Sequence, residues 1–241
     1  MQTIFYGKYD DLADAFGVPM GVTSLVGGGG KTTLMLSLAR ELTKTGHTVI
    51  VSTTTHIFPP DGIATLTNAT EQEAKAALAA DRLICLGTPA EKGKLSAPKL
   101  SIAAMERLTE YVLLEADGAK RLPLKAPAEH EPVIPLETRL VIAVLGMDGI
   151  GKPIQESAFR PERYATLTGK TEPDIVTPFD AARVLTHPNG QRKGVTEAMR
   201  FCVLLNKADD TAQNAAALEI AWELNGTGLV ERTVIAALGK A

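Results

Sequence analysis

The chain has 241 residues, 45% of them hydrophobic, enough apolar sequence for one large core or for a main domain with a small appendage. A formal net charge of −3 and a sequence pI of about 5.9 exclude the overall basic surface that marks nucleic-acid binding, and no apolar run reaches the ~20 residues of a membrane span. Between Met1 and Gly17 the chain carries Lys8 and three aspartates where a signal peptide needs an apolar stretch, so a cytoplasmic location is expected, with a small molecule or a protein as partner and neither nucleic acid nor membrane.

Residues 1–19 contain an amphipathic stretch, Leu12, Phe16 and Val18, interrupted by Pro19, which predicts a short helix packed on the main domain. Val22-Thr23-Ser24-Leu25-Val26 then reads as a strand, Gly27-Gly28-Gly29-Gly30 as a turn, and Lys31-Thr32-Thr33 as the opening of a helical pattern over 34–42. Strand, glycine turn and helix in that order are the context of a phosphate-binding loop. Glycines reach backbone angles barred to other residues, so several N–H groups can turn toward one phosphate chain, and the helix N-terminus adds partial positive charge. Lys31 is expected to reach the β- and γ-phosphates, and the Thr32 hydroxyl to hold Mg²⁺. The match to G-x-x-x-x-G-K-[ST] is partial, because its first glycine falls on Leu25 and the second lysine of a variant loop on Val26. A dinucleotide-binding turn fits less well: G-x-G-x-x-G counted from Gly27 needs glycine at Thr32, and the next strand ends without an acid for a ribose.

Gly46 stops the helix, and 48–52 is a β-branched strand that completes a βαβ unit. Its end, Ser52-Thr53-Thr54-Thr55-His56, falls at the carboxyl edge of a parallel sheet, where ligands bind. Thr54 is a further candidate Mg²⁺ ligand there, and His56 a weaker one. Residues 70–80 predict a helix capped by Thr70, 82–86 a strand, and 102–110 a helix. The polar loop 91–99 carries lysines that read as a solvated face. Cys85 and Cys202 sit in apolar runs without metal-ligand spacing and read as buried reduced thiols.

The strand Tyr111-Val112-Leu113-Leu114 ends on Glu115-Ala116-Asp117-Gly118-Ala119-Lys120. An apolar strand ending in acids after a phosphate loop resembles a Walker B element. Asp117 is the first choice for the Mg²⁺ shell, and Glu115 the second, with a role in orienting the attacking water; with Lys31 they are the catalytic candidates. Four prolines from Pro123 to Pro135 make the next segment a rigid extended loop. Its Lys125, Glu129, His130 and Glu131 are candidates for contact with a substrate, a metal or a partner. A strand over 140–145 follows, and 152–196 is broken by prolines into short helices at most, which predicts an inserted helical lid whose Arg160, Arg192 and Lys193 can approach phosphates.

The strand Phe201-Cys202-Val203-Leu204-Leu205 closes on Asn206-Lys207-Ala208-Asp209. The Asp209 carboxylate can accept from both N1–H and the 2-amino group of guanine, a pair of donors that adenine lacks. In that arrangement the Lys207 stem covers the base and Asn206 ties this loop to the phosphate loop. A helix over 212–224 and a strand over 230–236 complete the chain.

Taken together, the glycine loop with Lys31, Thr32 and Thr33, the Thr53-Thr54-Thr55-His56 strand end, Glu115-Ala116-Asp117-Gly118, the proline-rich loop 124–135, the loop 187–194 and the Asn206 to Asp209 tetrapeptide resemble the accessory proteins of selenium-dependent molybdenum hydroxylases over nearly the whole chain. That resemblance implies a nucleotide-binding P-loop protein acting in maturation of, or selenium insertion into, such enzymes, with a molybdenum hydroxylase or another maturation protein as partner. The fold expected is α/β and P-loop NTPase-like, a mainly parallel sheet flanked by helices, in a single domain over 1–241 with a small helical insertion at 152–196. The activity expected is Mg²⁺-dependent binding and hydrolysis of a nucleoside triphosphate, GTP before ATP. A small-molecule kinase of the same fold and a nucleotide-gated cofactor carrier without turnover are the alternatives.

Overall fold

The structure, a computed structural model, describes residues 12–239 in full and residues 3–6 by their backbone. Lys8, Asp10 and Asp11 of the N-terminal segment lie outside the described residues. The first half of the chain runs β1 (Thr3–Tyr6), α1 (Leu12–Phe16), β2 (Gly21–Gly27), α2 (Lys31–Lys44), β3 (Val49–Thr53), β4 (His56–Ile57), β5 (Ala64–Thr67), α3 (Glu71–Asp81), β6 (Leu83–Pro89), β7 (Leu95–Ser96), α4 (Ile102–Leu108) and β8 (Tyr111–Glu115). The second half runs β9 (Leu124–Lys125), β10 (Thr138–Gly146), α5 (Ile154–Ser157), β11 (Ala158–Phe159), α6 (Pro161–Thr168), α7 (Pro178–Thr186), β12 (Arg200–Asn206), α8 (Thr211–Thr227) and β13 (Arg232–Ala236).

The main sheet is ordered β1-β13-β12-β10-β2-β8-β3-β6-β7-β4, with β5 beside β6. From β1 to β6 every neighbouring pair is parallel, and only β7 runs antiparallel, to both β6 and β4. Parallel strands need crossover helices, which cover both faces of the sheet. Accordingly β2, β3 and β8 are buried at every position. On one face, Phe16 of α1 and Leu34, Met35, Leu38 and Leu42 of α2 pack on Leu25, Val51 and Val144. Those α2 residues recur every three to four positions, which puts them on one stripe. On the other face, Ala74, Leu78 and Met105 from α3 and α4 pack on Val22, Ile50 and Val112.

The proline-broken segment 152–196 forms α5, β11, α6 and α7, and its Ile154, Tyr164, Val176, Ala181 and Leu185 share a buried cluster with Val141, Val203 and Ile220. Its helices thus form a layer of the core, and β11 pairs with β9 of the proline-rich loop. The sequence signals that are local hold closely. Thr70 caps α3 in a reciprocal box with Glu73, and Thr177 does the same for α7 with Asp180. Both cysteines are buried and unpaired, and burial pushes their thiols up to about 11 for Cys85 and about 12 for Cys202. The sequence does not announce β1 or the two-residue strands β4, β7, β9 and β11. Two residues carry no periodicity, and these strands exist through their neighbours. Among the described residues no helix is long and apolar enough to cross a membrane.

Register places the functional candidates. Leu25 of β2 and Thr53 of β3 both stand opposite Glu115 of β8, Gly27 stands opposite Val144 of β10, and Gly146 stands opposite Asn206 of β12. The carboxyl ends of five parallel strands therefore meet along one edge of the sheet, where such sheets bind ligands.

Candidate functional site

That edge opens into a cavity of about 840 Å³ lined by Gly29, Gly30, Lys31, Thr32 and Thr33 on one side and by Glu115 and Asp117 next to them. The glycine run is dictated by close packing. Gly27 and Gly29 have φ of 95° and 81°, and a Cβ on either would lie 2.3 Å from backbone of β10, at the Val144 carbonyl and the Gly146 nitrogen respectively. The same closeness uses up the glycine donors. Gly27 N–H donates to Asp117 Oδ2 at 3.0 Å, Gly28 N–H to the Val144 carbonyl at 2.9 Å and Gly29 N–H to the Leu122 carbonyl at 3.1 Å. For these three of the four glycines this corrects the expectation that their N–H groups turn toward a phosphate chain. The donors that remain are those of Gly30 and the start of α2, whose ladder begins with Leu34 N–H on the Gly30 carbonyl and which no side chain caps. The N–H groups of Lys31, Thr32 and Thr33 thus have no partner within the helix, at the end that favours anions.

Behind the loop runs a chain of alternating charges. Lys31 Nζ lies 3.0 Å from Asp117 Oδ1 and donates to the Gly27 carbonyl at 2.5 Å. Lys125 Nζ lies 2.9 Å from Asp117 Oδ2 and 2.9 Å from Glu131 Oε2, and Arg160 reaches the same Glu131 oxygen at 2.6 Å. The Asp117 and Lys125 side chains are both 0% exposed, so each charge here depends on its neighbours. Burial works against the charge of Lys31, but Asp117 and Glu115 beside it outweigh burial and hold its pKa above the ordinary lysine value. Glu115 responds oppositely: burial raises its pKa although Lys31 and the Thr32 hydroxyl favour the ionised form.

The Thr32 hydroxyl donates to Glu115 Oε1. Of the two acids ending β8, then, Glu115 is the one joined to the helix-opening threonine, and Asp117 is enclosed by two lysines and the Gly27 N–H. Among the described residues no three acidic, histidine or cysteine side chains come together to hold a metal alone. A hard divalent ion that keeps most of its waters needs only one or two protein oxygens plus phosphate oxygens, and the Thr32–Glu115 pair offers that set.

Glu131 gives the ion-pair chain a pH signature. Burial opposes its charge, but Lys125 and Arg160 prevail and hold it down at about 2, against an ordinary value of 4.5. A depressed carboxylate contributes stability that is complete above its unfolded pKa and is lost as pH falls toward the folded one. The protein is expected to lose stability between about pH 4.5 and 2, and Glu131→Gln to flatten that limb in chemical denaturation at successive pH values. An unchanged limb would remove Glu131 from the acid transition.

The other candidates are placed as follows. Lys207 lines the cavity and pairs with Asp148 at 2.8 Å, and Asn206 donates through Nδ2 to the Gly29 carbonyl at 2.9 Å, so the two loops are joined. Asp209 is exposed just before α8, its N–H on Gln213, beyond the cavity lining. Thr54 turns its hydroxyl to the Val133 carbonyl at 2.8 Å and is not in the wall; Thr55 and His56 are. Of the proline-rich loop, Lys125 is sealed into the ion-pair chain, whereas Glu129 and His130 are exposed outside the cavity lining, Glu129 being 3.9 Å from Arg163. Arg160 reaches the cavity, while Lys193 is spent on the Ala128 and Glu129 carbonyls and Arg192 lies over Phe201. Of the 91–99 lysines expected on a solvated face, Lys92 and Lys99 are exposed, and Lys92 and the half-buried Lys94 also line the cavity, Lys94 over Phe58. The sequence does not single out Arg121 or Phe159, which also line the wall; Phe159 is carried there by β11, paired with β9.

Two comparisons bear on this chain. The profile of the family described as YqeC protein matches residues 23–162, more than half of the chain and including the glycine loop, Glu115, Asp117 and Arg160. The Escherichia coli (strain K12) protein named "Uncharacterized protein YqeC" is 34% identical over 193 residues, which cover 77% of this chain and 75% of that protein.

Proposed function

The chain belongs to the YqeC family, and we propose that it binds a nucleoside triphosphate with Mg²⁺ at the start of α2 and hydrolyses it in support of maturation of a selenium-dependent molybdenum hydroxylase. The observation that carries this reading is the Thr32 hydroxyl on Glu115 at the head of an uncapped helix, with Lys31 beside them on the cavity wall. The phosphates are taken by the N–H groups of Lys31, Thr32 and Thr33 and by the Lys31 ammonium, which exchanges the Gly27 carbonyl for phosphate oxygens. Thr32 and Glu115 hold the metal, which supplies charge neutralisation on the phosphates. Asp117, which sequence alone ranks first for the metal, here keeps Lys31 charged and aimed. Protonated Glu115 cannot ligate, so metal-dependent affinity declines as pH falls through its raised pKa. Catalysis is positioning and electrostatics, without a covalent intermediate.

Guanine preference rests on Asp209, whose loop is tied to the glycine loop through Asn206. In binding titrations of GTP, ATP and CTP with Mg²⁺, wild type is expected to favour GTP. Asp209→Asn is expected to lose about 10- to 100-fold of that preference, the worth of a charge-assisted hydrogen bond. A preference that survives the substitution removes the base assignment, and a protein that binds none of the three sinks the nucleotide reading. Free phosphate as product supports hydrolysis, and a phosphorylated metabolite supports the kinase alternative.

A further inference from the structure

The geometry points to a second anion site in the same cavity, formed by Lys120, Arg121, Phe159 and Arg160, that takes a phosphomonoester-bearing small molecule beside the nucleotide; only the first ligand of the pair rests on the nucleotide reading. Although the chain is net acidic, seven Lys and Arg side chains but only three carboxylates line this cavity. Each carboxylate is engaged: Glu115 by Thr32, Asp117 by Lys31 and Lys125, Glu131 by Lys125 and Arg160. Lys120 and Arg121 form no ion pair among the described residues.

Three cations converge on one ring. Lys120 Nζ, Lys125 Nζ and the Arg160 guanidinium carbon lie 5.2, 5.7 and 4.4 Å from the Phe159 centroid. Glu131 pairs with Lys125 and Arg160 but leaves Lys120 without an ion-pair partner among the described residues, and an anion among cations gathered round one ring relieves their mutual repulsion. The backbone gives an independent sign. Of seven non-glycine residues in the left-handed region, Asn68 and Arg82 lie elsewhere, while Lys92, Lys120, Arg121, Arg160 and Lys207 all line this cavity. Left-handed backbone is disfavoured for residues with a Cβ, and such outliers collect where function over-determines the conformation. Here all five carry a cationic side chain, and Lys120 and Arg160 bring theirs to the Phe159 ring in the cavity wall. A guanidinium fork beside lysine point charges suits a phosphate dianion. Phe58 and Phe159 supply apolar wall, and the volume is that of a site for an organic ligand and not for a bare ion.

Equilibrium dialysis of the full chain against labelled inorganic phosphate tests this. About two phosphates per chain are expected without nucleotide, one at the start of α2 and one at Phe159. One is expected to remain with Mg²⁺ and a saturating non-hydrolysable triphosphate. Lys120→Gln, at an exposed position, and Arg160→Gln, which leaves the Lys125–Glu131 pair in place, are each expected to weaken that remaining phosphate at least tenfold, with nucleotide affinity within twofold of wild type. No saturable phosphate on the nucleotide-loaded protein overturns the second site. Equal loss of nucleotide affinity in both variants does so too, by assigning these cations to the nucleotide. A chain that binds no nucleotide but holds phosphate sensitive to Lys120→Gln keeps the second site and removes the first reading alone.

Discussion

Replacing Asp117 with Asn is expected to lower folding stability by about 3–5 kcal/mol and the thermal midpoint by on the order of 10 °C. Asn fills the same volume, so no cavity opens and the loss is electrostatic. The wild-type carboxylate is 0% exposed, takes Lys31 at 3.0 Å on one oxygen and Lys125 at 2.9 Å on the other, and accepts the Gly27 N–H as well. An amide can present an acceptor on one side only, so its NH₂ faces either a lysine or a backbone donor. Lys125 keeps Glu131, but Lys31 loses the one acid with which it pairs, and a buried ammonium in that position sheds its proton or draws in water. Glu129→Gln is the control: its side chain is 93% exposed and 3.9 Å from Arg163, and the midpoint is expected to stay unchanged. A shift of under about 2 °C for Asp117→Asn would show that the buried charge chain contributes little to holding the loop.

The second large effect is on binding. Lys31→Met is expected to weaken Mg²⁺–triphosphate binding by about 100- to 1,000-fold, the loss that follows removal of a charged donor in a shielded site. Methionine retains the apolar stem, and Asp117 retains Lys125 and the Gly27 N–H, so the drop in thermal midpoint is expected to be smaller than for Asp117→Asn. The two variants are therefore separable, one mainly unfolding and the other mainly failing to bind. An affinity within threefold of wild type in folded Lys31→Met protein would take the phosphates away from the start of α2.

The parts of this molecule legible in the chain are those whose cause is local. The apolar run before Gly27 and the three-to-four spacing of Leu34, Leu38 and Leu42 set β2 and α2 within a residue or two. Thr70 with Glu73, three residues on, carries its cap in four residues of sequence. The prolines after Lys152 forbid a long helix, and none forms there. By the same logic β1 is invisible, since its reason for existing is β13, over two hundred positions away.

The sequence by itself determined which residue types stand at the site: a glycine turn, Lys31 and Thr32 opening a helix, and two acids closing an apolar strand. Only the tertiary structure decided which of them meet. Glu115 takes Thr32 and Asp117 takes Lys31 because β8 lies directly beside β2, with Glu115 in register with Leu25. Lys125, Glu131 and Arg160 become one buried chain because β9 pairs with β11. Lys31–Asp117 and Glu131–Arg160 join residues far apart in sequence, and even the nearer Lys125–Glu131 pair lies in a loop with no periodicity to reveal it. They are set by strand register and by the need of every buried charge for a counter-charge.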